Sequence, residues 1–313
     1  MLKLRLGRAT REAYGEALLE LAENNPNIYV VDADIGKSCK TVPFSEKYPN
    51  QQINVGIAEQ NAADVAAGLA TCGIIPFVTT YAIFGSMRML EQIRQEACYP
   101  YLNVKVACSH GGLTPANDGA SHQAIEDLGI YRTIPNMTVI APGDFDSTKA
   151  LVKAAAEYYG PVYLRFTRDA IPSFYDENSK FEIGKANMIQ DGKDITIITT
   201  GDVLSQGVEA CNELEKEGIS VRLLDMHTIK PLDEEAVKKA IKDTKGIITV
   251  EDHNKYNGLG SAVAEVVAEN DGECHFKRIA IQDHFGESAP YESLLAKNGI
   301  TAENIVKTAK RML

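Results

Sequence analysis

Asn54-Val-Gly-Ile-Ala-Glu-Gln-Asn61 is the densest passage of the sequence. Gly56 permits a turn, Glu59 follows it, and Ala62, Val65, Ala66 and Leu69 then fall at i, i+3, i+4 and i+7, the spacing of an amphipathic helix. Ile74–Val78 comes next as a short run rich in β-branched residues, bounded by Gly73. Working outward, runs of the same kind recur at Ile28–Val31, Val104–Ala107, Val162–Phe166, Ile195–Thr199, Val221–Leu224, Ile247–Val250 and Lys277–Ile281. Helical patterns separate them, as with Leu204, Val208, Cys211 and Leu214. Strands alternating with helices predict an α/β chain with mainly parallel sheets flanked by helices.

The stretch 173–192 breaks this rhythm with Asn178, Ser179, Gly184, Asp191 and Gly192, and reads as a linker between domains at 1–172 and 193–313. With 313 residues, 44% of them hydrophobic, the chain has material for two cores. Its six cysteines include no CxxC pair, so neither a zinc site nor a disulfide framework is expected, and a reducing cytoplasm fits best. The N-terminus has no signal-like apolar core, and no run reaches membrane-spanning length. A net charge of −11 without a Lys/Arg stripe argues against nucleic-acid binding.

Glu59 taken alone is a dipole-favoured acid at a helix start. Its company changes that reading. Thr79-Thr-Tyr-Ala-Ile-Phe-Gly85, Ser109-His-Gly-Gly-Leu-Thr-Pro-Ala-Asn-Asp-Gly-Ala-Ser-His-Gln123, Arg132-Thr-Ile-Pro-Asn-Met137 and Gly160-Pro-Val-Tyr-Leu-Arg-Phe-Thr-Arg168 follow in order. This series resembles the pyrimidine-binding domain of transketolases. Thr228-Ile-Lys-Pro-Leu-Asp233, Val250-Glu-Asp-His253 and Gly258-Leu-Gly260 resemble that family's C-terminal domain, so the likeness spans nearly the whole chain.

The resemblance implies thiamine diphosphate as cofactor, with Glu59 hydrogen-bonded to the pyrimidine ring so that the cofactor's own amino group serves as base. An apolar pocket around Glu59 would then keep that proton shared. Tyr81 and Phe84 match rings that stack on the pyrimidine, while Met87 stands where many relatives carry a third aromatic. Asp34 and Ile57 match cofactor contacts. His110 and His122 match histidines that bond sugar oxygens and assist proton transfers, work suited to a side chain that ordinarily titrates near neutrality. Asp118 matches a residue that selects a hydroxyl configuration. Arg11 and Arg168, with Ser38 beside them, match a clamp for the phosphate of a small phosphorylated sugar.

His110, Asp118 and His122 have no recognised zinc spacing, and no metal site is expected in this chain. Gly258-Leu-Gly260-Ser261 lacks the third glycine of a dinucleotide fingerprint and reads as a turn before a helix. His227, His253, His275 and His284 are expected to be structural.

Family members bind Mg²⁺ and the diphosphate through a Gly-Asp-Gly motif, which occurs nowhere in these 313 residues. The expectation is therefore a split enzyme. An N-terminal transketolase subunit would carry Gly-Asp-Gly and hold Mg²⁺, and the two chains would form a heterotetramer with a self-dimer interface. Together they would transfer a two-carbon ketol unit from a ketose phosphate to an aldose phosphate. The competing readings are the β subunit of a 2-oxo acid dehydrogenase decarboxylase component and a non-catalytic relative acting as a binding module. The Asp118…His122 spacing and the paired arginines favour sugar phosphates over 2-oxo acids.

Overall fold

The structure is a computed structural model that describes residues 1–313. Its strands are β1 Ile28–Asp32, β2 Gln52–Asn54, β3 Ile75–Tyr81, β4 Lys105–Ser109, β5 Thr138–Ile140, β6 Val162–Arg165, β7 Asn187–Gln190, β8 Ile195–Thr199, β9 Val221–Asp225, β10 Thr228–Lys230, β11 Gly246–Asn254 and β12 His275–Ile281. They form two sheets, ordered β10-β5-β6-β4-β3-β1-β2 and β12-β11-β8-β9-β7. Every pairing is parallel except β10 with β5 and β7 with β9.

Period-2 alternation of buried strands lets each sheet face two cores. In the first, Val31, Val78, Val106 and Tyr163 pack with Ala62, Ala63 and Ala66 of the helix Glu59–Thr71. The neighbouring residues Val30, Phe77, Ala107 and Leu164 point the other way, to the helices Thr10–Asn24 and Phe145–Glu157. The second sheet repeats the plan, with Ile197, Leu223 and Ile248 against the helix Leu204–Lys216 and Ile198, Leu224 and Ile247 against Leu259–Glu269. The two mainly parallel α/β units agree with the expected fold class.

Four short strands lie outside the predicted runs. The stretch 173–192 ends in β7, a half-exposed edge strand whose Asn187 and Gln190 give no apolar signal. The structured second half therefore begins earlier than the linker reading allows. Thr228-Ile-Lys230, read as part of the second domain, crosses over as β10 and closes the edge of the first sheet.

A buried polar network ties the halves together. Arg165 at the end of β6 is almost inaccessible, and its Nε lies 3.0 Å from Asp127 and its Nη1 3.8 Å from Asp202. Its Nη2 donates to the carbonyls of Ala124 (3.1 Å) and Asp252 (2.8 Å). Burial alone would lower the Arg165 pKa; the carboxylates of Asp127, Asp202 and Asp252 outweigh it and hold the guanidinium charged.

Candidate active site at the carboxyl edge of the first sheet

The expected site residues fall just beyond the C-terminal ends of five neighbouring parallel strands. Arg168 follows β6, His110 follows β4, Tyr81 ends β3, Asp34 follows β1 and Glu59 follows β2. The order of β1 and β2 reverses here, since the chain passes from β1 outward to β2 and then back across to β3. Open parallel sheets place ligand crevices at such an edge.

Glu59 is brought in as expected. Gly56 takes φ +74°, its N–H donating to the Asn54 side chain at 2.8 Å, and the helix starts at Glu59, which is 7% exposed. Its surroundings differ from the apolar pocket anticipated. Arg88 Nη1 donates to Glu59 Oε1 at 2.9 Å, and the same guanidinium lies 4.0 Å from the centroid of Phe84. An open cleft of about 590 Å³ lies alongside, lined by Ile57, Glu59, Gln60, Asn61, Asp64 and Arg88. Ile57 stands 79% exposed on its rim.

Tyr81, Phe84, His110 and His122 form one cluster of rings. Tyr81 stacks on His110 at 3.8 Å and on Phe84 at 5.5 Å, while His122 presents an edge to both, 6.0 Å from Tyr81 and 5.7 Å from Phe84. The strand-to-helix change after Tyr81 needs Gly85, because a Cβ there would sit 2.5 Å from Cys108 Sγ. Met87 is exposed and outside the cluster.

His110 is buried, with φ +64°. The Ser109 hydroxyl meets its Nδ1 at 2.8 Å and is itself 3.2 Å from Cys39 Sγ. Burial, and then the charges of Arg11, Arg168 and His122, push the His110 pKa down to about 3. In this chain the neutral imidazole is therefore the favoured form of His110, able to donate or accept a hydrogen bond. His122 is less enclosed, with Ser121 Oγ 3.0 Å from its Nδ1.

Arg11 Nη1 donates to the Ser38 carbonyl at 2.8 Å, and its Nε is buried without a partner. Arg168 lies 3.5 Å from Asp118 and 3.1 Å from Asp169, so an incoming anion would compete with two carboxylates for it. Asp34 takes φ +66° and accepts from Asn54 Nδ2 at 2.9 Å. Sequence reading passed over Arg88 and Ser109. The i, i+4 spacing of Phe84 and Arg88 foretells their contact, whereas Glu59 is too distant in sequence to be linked to either.

The residues present fit one half of thiamine diphosphate. Half-buried rings beside a nearly buried carboxylate suit the aminopyrimidine, with Arg88 lying across both. No three His, Cys, Asp or Glu side chains gather in one place to hold an ion. The helix start at Leu259 is no phosphate cradle either. The Glu251 carboxylate already fills it, accepting from the N–H groups of Leu259 and Gly260 at 2.7 Å each. His227 and His253 are buried, the latter accepting from the Gly129 N–H at 3.1 Å, while His275 and His284 are exposed. No helix is long and apolar enough to cross a membrane.

Residues 7–173 match the family described as transketolase, pyrimidine binding domain, and residues 184–305 match transketolase, C-terminal domain. The chain is 45% identical over 302 residues to a putative transketolase C-terminal section of Methanocaldococcus jannaschii, covering 96% of this chain and 95% of that protein. It is 38% identical over 299 residues to a 6-deoxy-6-sulfo-D-fructose transketolase subunit of Clostridium sp., covering 96% and 92%. A solved split-gene transketolase, described as an inactive β4 tetramer, superposes with a TM-score of 0.89 at 45% identity over 98% of both chains. Two family matches spanning both sheets, and relatives matched along nearly their full length, place this chain in the transketolase family as the pyrimidine-binding and C-terminal part of a split enzyme.

Proposed function

We propose that this chain, joined to a subunit bearing the diphosphate site, transfers a two-carbon ketol unit from a ketose phosphate to an aldose phosphate. Thiamine diphosphate would supply the carbanion-stabilising chemistry when bound, and Mg²⁺ would be held by the partner. The observation that carries the reading is the convergence of the Tyr81–Phe84–His110–His122 ring cluster on the edge that also presents Glu59, Arg11 and Arg168.

In this reading Glu59 hydrogen-bonds the pyrimidine, Tyr81 and Phe84 flank it, and Asp34 and Ile57 border the cofactor near the partner. His110 and His122 hydrogen-bond the sugar oxygens and assist proton transfers, His110 entering as the neutral imidazole that burial favours. Arg11 with Ser38 and Arg168 receive the substrate phosphate, and Asp118 discriminates among hydroxyl configurations. The first domain ends near residue 172 and the second takes in the edge strand β7 ahead of residue 193, the assembly is a heterotetramer, and the setting is the cytoplasm. An inactive β4 tetramer in a close relative is the behaviour this reading expects of such a chain without its diphosphate-binding partner. The sulfo-sugar specificity of the Clostridium relative leaves the choice between ordinary and modified sugar phosphates to assay.

Glu59→Gln in the reconstituted pair tests the assignment. Size is retained and the ionisable carboxyl is lost, so turnover should fall by about a hundredfold or more, the usual scale for removing acid–base assistance. Near-normal turnover would refute it.

A further inference from the structure

Arg88 makes, in one side chain, the two contacts that the preceding reading reserves for the cofactor's ring. Its Nη1 donates to Glu59 Oε1 at 2.9 Å, and its planar guanidinium covers the Phe84 ring at 4.0 Å. A guanidinium can do both because it is flat, donates in its own plane and attracts an aromatic face. An aminopyrimidine is likewise flat and hydrogen-bonds in its plane.

Neither partner can serve two occupants at once. The stacking face of Phe84 holds one plate, and Glu59 is only 7% exposed, so access to its carboxylate is narrow. Arg88, by contrast, has a side chain 53% exposed on a long stem beside an open cleft, and has solvent to withdraw into.

We propose that Arg88 is a displaceable stand-in for the pyrimidine ring, seated on Glu59 and Phe84 when the ring is absent and swung into the cleft when it binds. The proposal rests on the assignment of Glu59 and Phe84 to the ring. In the ring-free chain the guanidinium keeps a nearly buried carboxylate from standing unpaired. The cost appears in affinity, because a ligand binds only the fraction of molecules in which the place is open. If Arg88 fills it in nine molecules of ten, apparent affinity falls about tenfold.

The test uses the full-length chain and the isolated pyrimidine half of thiamine, 4-amino-5-hydroxymethyl-2-methylpyrimidine, which needs no diphosphate site. Binding is followed by ligand-observed NMR titration. Arg88→Met, which retains the stem and removes the fork, should bind the pyrimidine about tenfold more tightly than the parent. Arg88→Lys should fall between them. Glu59→Gln and Phe84→Ala should both bind more weakly. If these two weaken binding while Arg88→Met equals or trails the parent, the stand-in is overturned and the ring site survives. If neither weakens binding, the ring site is wrong and the stand-in falls with it. An Arg88→Met chain that takes up no pyrimidine at millimolar concentration also overturns the proposal.

Discussion

Arg165→Met should unfold the junction between the two sheets long before it alters any surface. The methionine keeps most of the volume, so the loss is electrostatic: the side chain, 3% exposed, gives up Asp127 at 3.0 Å, Asp202 at 3.8 Å and two carbonyl hydrogen bonds. Deleting one member of a buried ion pair costs about 3–5 kcal/mol because the remaining charge is stranded. Asp127 and Asp202 would keep only the hydroxyls of Tyr163 and Tyr291 against their buried charge, so the upper part of that range applies. At a few degrees per kcal/mol, the midpoint of thermal unfolding should drop by about 10 °C, followed by circular dichroism.

The pH dependence supplies a second check. Burial already holds the Asp252 carboxyl well above its ordinary value, with Asp202 adding to the shift and Arg165 opposing it. Without Arg165 the Asp252 carboxyl, already shifted upward, binds its proton still more tightly in the folded chain than in the unfolded one. Its protonated form is tolerated at low pH and the penalty grows as pH rises, so the gap to the parent should be smaller at pH 5 than at pH 8. The loop of His110 rests on the same group, because a Cβ at Gly111 would lie 2.4 Å from Arg165 Nε. A drop below about 2 °C, or a gap that widens on acidification, would refute the reasoning.

His227 is fully buried, and burial lowers its pKa from the usual 6.5 to about 4. Below pH 6.5 the unfolded chain gains a proton that the folded one refuses, so the parent should lose stability relative to His227→Gln by about 1.4 kcal/mol per pH unit, levelling near pH 4. Urea titrations at several pH values would show it, and parallel curves would count against it. Gly258→Ala should destabilise the second half by about 2 kcal/mol in the same assay. Its Cβ would sit 2.1 Å from Glu251 Oε2 and dislodge the carboxylate from the helix start. A neutral result would mean that Glu251 is free to move.

The amino-acid sequence by itself determined the alternation of strands and helices, since burial of a parallel strand on both faces favours short runs of β-branched residues with little charge, such as Ile195–Thr199. It also determined the turn that delivers Glu59, because Gly56 needs φ +74°, and the family to which the motifs belong. The short strands β2, β5, β7 and β10 were not legible, because three or four residues carry too little periodicity and their pairing depends on partners far away in sequence. Only the sheet order aligned Arg168, His110, Tyr81, Asp34 and Glu59 along one edge. Only packing settled their electrostatics. The neutrality of His110 arises from burial and from arginines remote in sequence, and the pairing of Glu59 with Arg88 joins one helix start to the end of the short helix Ala82–Met87 that follows β3. Charge interactions act through distance in space, and a linear sequence does not contain that distance.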